Sequence, residues 1–193
     1  MNPVVTISGG GIIGNYISSR LNNNNIETLV IEKSTADLSD KESIRTLTLN
    51  SYSKELLDDL GINIDYAEIK KINVFDGEGT GKIDFSSDEI NSENLSYVVY
   101  FNDLQSALKR KEQERTLFEE EIKRFKEDEV NNSCEILLSQ DKKITSQFIA
   151  GCDGRNSNVA KLASLNPISS DYNQTAITFT AKSSLKDLTI AHQ

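Results

Sequence analysis

Residues 4–32 read VVTISGGGIIGNYISSRLNNNNIETLVIE, and this stretch decides the fold. A β-branched run comes first, as in a buried parallel strand, and glycines spaced as G-x-G-x-x-G follow at once. Ile13, Ile17 and Leu21 then recur every fourth residue, which predicts a helix with one apolar stripe. Residues 28–31 predict a second strand, which ends at Glu32. The stretch therefore predicts a βαβ unit.

The glycines of this unit fit the binding of a dinucleotide. Gly9 permits a tight exit from the strand, and Gly11 lets the backbone approach a pyrophosphate without a Cβ in the way. Gly14 lets the helix pack closely against the sheet. The helix begins with Ile12 and Ile13, whose N–H groups and positive dipole end attract phosphate.

The acid at the end of the second strand indicates which dinucleotide binds. Glu32 follows Gly14 by 18 residues, where a carboxylate accepts hydrogen bonds from both ribose hydroxyls of an adenosine. An acid at this place favours an unphosphorylated ribose, so FAD and NAD fit better than NADP. We include the neighbouring Lys33 in the predicted cofactor site.

Composition excludes several classes of function. The net charge of −9 over 193 residues disfavours a nucleic-acid partner, because phosphate backbones need a basic face. The only histidine is His192, and the two cysteines have no metal-ligand spacing, so we expect no metal site and no Ser-His-Asp catalysis. Neither a signal peptide nor a membrane-spanning run is evident, and we expect a cytoplasmic protein with reduced cysteines.

A second ligand-binding motif is predicted farther along the chain. Residues 136–138 and 144–149 indicate a β-hairpin, whose second strand runs into GCDGRNS at 151–157 and then into a helix over 157–165. Asp153 in this motif is placed to bond the ribityl hydroxyls of a flavin. Its alternative role is to cap the helix that follows. Between the two motifs, the apolar residues of 109–129 fall at helix-like spacing among mixed charges, which predicts a solvated amphipathic helix.

Three segments together resemble the FAD-dependent aromatic hydroxylases. They are GGGIIG at 9–14, RTLTLNSYSKELLDDLGI at 45–62 and FIAGCDGRNSNV at 148–159, in the order and approximate spacing of that family. The similarity is greatest to the branch that hydroxylates ubiquinone precursors, and it covers essentially the whole chain. The Asp-Gly fingerprint after a hairpin is the more specific part of the resemblance.

The resemblance implies FAD as the cofactor. Arg45 would reach the flavin nucleotide, Asp153 the ribityl chain and Gln105 the pyrophosphate, while an ordinary surface position is the alternative for Arg45 and Gln105. The complete predicted cofactor-binding set is Gly9, Gly11, Ile12, Ile13, Gly14, Glu32, Lys33, Arg45, Gln105, Asp153 and Gly154.

The fold class that the resemblance implies is α/β. It is a Rossmann-like FAD-binding βαβ fold of the aromatic hydroxylase type, with a β-meander and an incomplete substrate-domain sheet. Residues 1–66 and 97–165 would form the FAD-binding part, and 67–96 with 166–193 the substrate sheet. We expect strands of that sheet at 69–75, 82–85 and 175–182.

The implied reaction hydroxylates a small aromatic substrate, prenylated in some members of this branch, with NAD(P)H as reductant and O₂. The family's second flavin motif, G-D-A-A-H, is absent because the chain contains no Gly-Asp dipeptide, so we expect the N-terminal half of such an enzyme. Membrane association through the other half and a second chain carrying that half both stay open. So do two alternatives: another flavin oxidoreductase of this fold, and a non-catalytic FAD-binding fragment that assembles with a partner.

Overall fold

A computed structural model describes residues 2–37, 44–165, 167–168, 170–184 and 187–193. The strands are β1 (Val5–Ser8), β2 (Thr28–Glu32), β3 (Thr46–Leu49), β4 (Ala67–Ile69), β5 (Lys71–Phe75), β6 (Lys82–Ser86), β7 (Ser96–Tyr100), β8 (Thr116–Phe118), β9 (Ile122–Asp128), β10 (Ser133–Leu138), β11 (Lys143–Ser146), β12 (Phe148–Gly151) and β13 (Ile190–His192). The helices are α1 (Ile12–Asn23), α2 (Ser51–Asp58), α3 (Phe101–Glu112) and α4 (Asn158–Leu162). The predicted α/β class is confirmed.

The elements pack as two compact units. The first comprises Met1–Ser39 and Gln105–Gln174, and the second comprises Asp40–Leu104 and Thr175–Gln193. The predicted domain ranges, 1–66 with 97–165 and 67–96 with 166–193, stay a prediction. In the part of the chain that the structure describes, no helix combines the length and the apolar character needed to cross a membrane.

A parallel sheet in the order β12-β1-β2-β8 organises the first unit. Its two central strands are buried, β1 throughout and β2 in all but its last residue, and their polar members are only serine and threonine apart from Glu32. Helix α1 connects β1 to β2 as the sequence predicts, and Ile17 and Leu21 pack against a core of Val5, Ile7 and Val30. The predicted βαβ unit is therefore confirmed.

Helix α1 departs from its predicted apolar stripe at its first turn. Ile13 is 62% exposed, and the buried face of the helix consists of Gly14, Asn15, Ser18 and Ser19. These short side chains allow the helix axis to lie close to the sheet, which bulky side chains on the same face would prevent.

The antiparallel sheet β11-β10-β9 packs on the parallel sheet within the first unit. Their shared core contains Leu29 and Ile31 of the parallel sheet and Ile122, Ile136, Leu138, Ile144 and Val159. The predicted hairpin is β10 and β11. The run predicted as one strand over 144–149 divides at Gln147, because β11 stays in the antiparallel sheet while β12 joins β1 in parallel.

The prediction of a helix over 109–129 is wrong beyond Arg115. Helix α3 ends at Glu112, a 3₁₀ turn covers Gln113–Arg115, and the apolar residues farther on belong to β8 and β9. The pairing of β9 with β10 shifts register, so that Ile122 lies opposite Leu138 and Arg124 lies opposite Leu137. The extra residue, Lys123, forms a bulge. The bulge places apolar side chains three residues apart on one side of the strand, and that spacing imitates a helix.

The second unit contains an antiparallel sheet in the order β3-β7-β4 and a mixed sheet in the order β13-β5-β6, in which β13 pairs with β5 in parallel. Helix α2 begins at the cap Asn50, whose Oδ1 accepts from Ser53 N at 2.7 Å, and the chain turns at Gly61 with φ +68°. The strand predicted at 82–85 is present as β6. The run predicted as one strand over 69–75 divides at Lys70, because Ile69 ends β4, which pairs with β7, while residues 71–75 form β5, which pairs with β6. The predicted strand at 175–182 is not formed, and Ile177 and Phe179 are exposed there. A strand needs a partner for its backbone groups, and none of the described strands pairs with this segment.

Candidate functional site

The carboxyl ends of β1, β2 and β12 meet at one edge of the parallel sheet and border a cleft of about 330 Å³. Ligands of open α/β sheets bind at this edge. Six predicted residues line the cleft: Gly9, Gly11, Glu32, Lys33, Asp153 and Gly154. A larger groove of about 990 Å³ lies in the same unit against Phe148 and α4, but none of the predicted cofactor residues lines it.

In the glycine loop, residues 9–14, backbone atoms lie so close to Gly9 and Gly14 that a side chain at either position would clash. Gly9 has φ +103°, and a Cβ on it would lie 2.5 Å from the carbonyl oxygen of Cys152. A Cβ on Gly14 would overlap the carbonyl oxygen of Gly9. Gly11 differs from both, because its Cβ position has no heavy atom within 4 Å. The open space at Gly11 leaves its backbone accessible to a phosphate group.

Helix α1 presents its first N–H groups next to this open space. Gly11 is the N-cap residue and supplies no capping side chain, and the first bond of the helix runs from Asn15 N to Gly11 O at 3.0 Å. The amides of Ile12, Ile13 and Gly14 precede that bond and have no acceptor within the helix. Free N–H groups at a helix N-terminus bind anions, so this end of α1 fits a pyrophosphate.

Glu32 is held by two backbone amides. Its Oε2 accepts from Gly10 N at 2.6 Å, and its Oε1 accepts from Ser34 N at 2.8 Å. Burial opposes its ionisation, but these hydrogen bonds and the charge of Lys109 hold the pKa of Glu32 below its ordinary value. The Ser34 side chain also donates to this carboxylate, whose roughly four acceptor sites leave room for a further donor. The group is therefore ionised and fixed in position to accept a ribose hydroxyl.

Asp153 lines the cleft and also caps α4. Its Oδ1 accepts from Ser157 Oγ at 2.5 Å, and its Oδ2 accepts from Asn158 N at 2.6 Å and Val159 N at 3.1 Å. Burial opposes its ionisation, but these bonds hold the pKa of Asp153 below its ordinary value. The alternative role as a helix cap is therefore present in the structure, and contact with a ribityl chain stays a prediction.

The remaining predicted residues lie in different surroundings. Lys33 and Gly154 are exposed at the cleft, and Gly154 has φ +80° with open space at its Cβ position. Gln105 lies on α3, half-buried, and is outside the set of residues that line the cleft. Arg45 belongs to the second unit, where its guanidinium lies 4.0 Å from the centre of the Phe101 ring. The roles of these residues in cofactor binding stay predictions.

The structure also identifies residues that the sequence analysis missed. Asn15 is buried and donates from Nδ2 to Gly10 O at 2.8 Å, which fixes the glycine loop from the helix side. A Cβ on Gly10 would lie 3.1 Å from the Glu32 side chain, so the second glycine of the run keeps room for that carboxylate. The triple-glycine run could have signalled the role of Gly10, whereas nothing in the sequence marks Asn15.

Glu120 is a further missed residue of the cleft. Its side chain is buried, and its Oε2 accepts from Ser139 Oγ at 2.8 Å and from Gln140 N at 3.1 Å. Lys142 Nζ lies 3.0 Å from Oε1. Burial opposes ionisation, but the bonds from Ser139, Lys142 and Gln140 hold the pKa of Glu120 below its ordinary value. The sequence shows only three consecutive glutamates, and the fold alone distinguishes this one.

Comparison with known proteins connects the cleft to a cofactor. A family model described as "FAD binding domain" matches residues 2–190. The ubiquinone biosynthesis monooxygenase COQ6, mitochondrial, of Dictyostelium discoideum is 26% identical over 213 residues, which cover 94% of this chain and 43% of that protein. The family match confirms FAD as the predicted dinucleotide.

Solved flavoproteins share the fold. PqsL of Pseudomonas aeruginosa, solved in complex with 2-aminobenzoylacetate, superposes with a TM-score of 0.76 at 16% identity, covering 89% of this chain and 48% of that one. The flavin-dependent monooxygenase PieE, in complex with FAD and substrate, gives a TM-score of 0.66 at 17% identity, covering 85% of this chain and 32% of that one. The chain spans less than half the length of each of these relatives.

Proposed function

Because this chain belongs to the FAD binding domain family, we propose that it forms the dinucleotide-binding part of an FAD-dependent monooxygenase that hydroxylates an aromatic ubiquinone precursor. NAD(P)H is the proposed reductant and O₂ the proposed oxygen donor. The observation that carries the proposal is convergence: the open backbone at Gly11, the fixed carboxylate of Glu32 and the Asp153 turn border one cleft. The similarity to the COQ6 monooxygenase supports the substrate class.

Different residues of the cleft would bind different parts of the cofactor. The N–H groups at the start of α1 would take the pyrophosphate, and Glu32 would take the adenosine ribose. Asp153 and Gly154 would border the linker toward the flavin ring. When bound, the flavin would supply the electron transfer and oxygen chemistry, and no histidine is among the described residues that line this cleft. The protein's own task here is therefore to bind and orient.

A comparison of FAD with FMN tests the cofactor assignment. FMN lacks both the adenosine that Glu32 would hold and the second phosphate that the amides of α1 would hold, so we expect it to bind at least about 100-fold more weakly than FAD. Quenching of flavin fluorescence on titration measures both affinities. Equal affinity for the two flavins, or no binding of FAD, would contradict the assignment of this cleft.

The reaction itself is tested with the FAD-loaded chain, alone and together with a polypeptide that carries the other half of such an enzyme, using NAD(P)H and a prenylated phenol under isotopically labelled O₂. We expect one labelled oxygen atom in the hydroxylated ring when both halves are present, detected by mass spectrometry. FAD binding without oxygen incorporation in either sample would instead support the alternative of a non-catalytic FAD-binding fragment that assembles with a partner.

A further inference from the structure

A lysine of α3 holds the segment that follows β2. Lys109 Nζ donates to the carbonyl oxygens of Thr35 and Asp37, each at 2.9 Å, although these residues are more than 70 positions away in sequence. The same ammonium lies 5.2 Å from the centre of the Phe118 ring on β8, within cation–π range. One cation therefore joins a helix, a strand and a loop segment of the first unit.

The segment held by Lys109 also orients Glu32. Ser34 N donates to Glu32 Oε1, and Ser34 O accepts from Glu119 N at 3.1 Å. Phe118, under the ammonium, lies opposite Glu32 in the register of β2 and β8. Lys109 thus contacts the segment that follows Glu32 in the chain and also Phe118, the residue paired with Glu32 on the neighbouring strand.

The acceptors of Lys109 indicate its role. Both are neutral carbonyls of one short backbone segment, so these hydrogen bonds fix the path of that segment rather than neutralise an acid. An ammonium has three donors and no acceptor, and two of the donors are used on residues two apart in the chain. Holding two carbonyls of a loop restricts the backbone more than one surface ion pair does.

We propose that Lys109 is a positioning residue for the adenosine end of the cofactor, which fixes the backbone of 34–37 and through Ser34 the carboxylate of Glu32. This inference rests on the proposed function of the cleft. Lys109 does not line the cleft, so its effect on the cofactor is exerted through the segment that it holds.

The test compares Lys109→Met with Lys111→Met, which removes an equal charge from an exposed position two residues later on the same helix. We expect the dissociation constant for FAD to rise about tenfold in Lys109→Met and by less than about twofold in Lys111→Met, since hydrogen bonds to charged groups are the stronger class. Lys109→Arg retains the cation and its donors and is expected to restore most of the affinity. Equal affinities of the two methionine variants would overturn the proposal.

A double-mutant cycle distinguishes positioning from general destabilisation. If Lys109 acts through Glu32, Lys109→Met changes the FAD affinity by less than about twofold in a Glu32→Gln background. An undiminished tenfold effect in that background would overturn the proposal.

Amide hydrogen exchange separates this inference from the proposed function, because it needs no cofactor. In Lys109→Met we expect the Ser34 amide to exchange at least about tenfold faster than in Lys111→Met, as its local opening becomes easier. Failure of the wild-type protein to bind FAD would refute the proposed function, while the exchange of Ser34 would still decide whether Lys109 holds the segment. Unchanged exchange would overturn the inference even in a protein that binds FAD.

Discussion

Two turns at the same edge of the parallel sheet, residues 9–14 after β1 and residues 152–157 after β12, are built in different ways. The first leaves the opening N–H groups of α1 free and receives its acid, Glu32, from a neighbouring strand. The second uses its own acid, Asp153, to satisfy the first N–H groups of α4. An acid supplied from a distance leaves the helix end available to a ligand, whereas an acid within the turn occupies it.

The largest expected effect concerns the packing of the first turn. Gly14→Ala places a Cβ on the carbonyl oxygen of Gly9, so we expect the free energy of unfolding to fall by about 3 kcal/mol. Urea denaturation measures the change. Gly11→Ala is the matched control, because its Cβ meets open space, and we expect a change in stability below about 0.5 kcal/mol with weakened FAD binding. Equal stability of the two variants would contradict the description of this turn.

The second effect concerns the acid supplied from β2. Glu32→Ala removes the acceptor for the ribose, and we expect FAD to bind about 10- to 100-fold more weakly. The exposed Glu114→Ala has the same change in charge and serves as the control. Flavin titration measures both variants. Unchanged affinity in Glu32→Ala would remove this residue from the cofactor site.

The third effect concerns the acid within the second turn. Asp153→Ala removes the acceptor for the first amides of α4, so we expect the free energy of unfolding to fall by about 1 kcal/mol at neutral pH. The pKa of Asp153 is lowered in the folded protein, so its stabilisation is present above the unfolded pKa and is lost as the pH falls through the folded pKa. The difference between wild type and variant should therefore shrink in acid, as measured by denaturation at several pH values.

Ser157→Ala separates the two roles of Asp153. It removes the hydroxyl that donates to Asp153 and accepts from Ala160 N at the start of α4, and Ser157 does not line the cleft. If Asp153 acts only as a cap, the two variants have the same small effect on FAD affinity. A loss of affinity confined to Asp153→Ala would show that this turn also contacts the cofactor.

The smallest effect concerns the ion pair between Lys142 and Glu120, a buried residue that lines the cleft. Lys142→Met removes the cation that pairs with the buried Glu120 carboxylate, while the bonds from Ser139 and Gln140 remain. Because Lys142 is about half exposed, we expect a loss of only about 1 kcal/mol in the free energy of unfolding. The exposed Lys143→Met is the control in the same denaturation assay. A larger loss in the control would contradict the importance of the pair.

The βαβ unit could be predicted because its signals are local. Glycine spacing, a helix of known length and an acid 18 residues later all lie within one short stretch of chain. The Asp-Gly turn was equally visible, although the sequence left its two roles open. In both cases the chemistry belongs to residues that are close in sequence.

The parts that could not be predicted depend on contacts between distant segments. The bulge at Lys123 gave a strand the spacing of a helix, and only the pairing with β10 reveals it. The roles of Glu120 and Lys109 come from partners about 20 and more than 70 residues away. Single-sequence patterns carry no information on such partners, because a charged residue on a solvated face has the same local pattern as one that ties two elements together.

The position of β12 at the margin of its sheet has a practical consequence. Its outer side has no partner among the described strands, its sequence FIAG has no charge, and Phe148 is 61% exposed. Strand margins of this kind attract other chains, because unpaired amides and carbonyls act as a template for further pairing. We therefore expect purified protein to self-associate at high concentration and Phe148→Lys to reduce that association, as light scattering would measure.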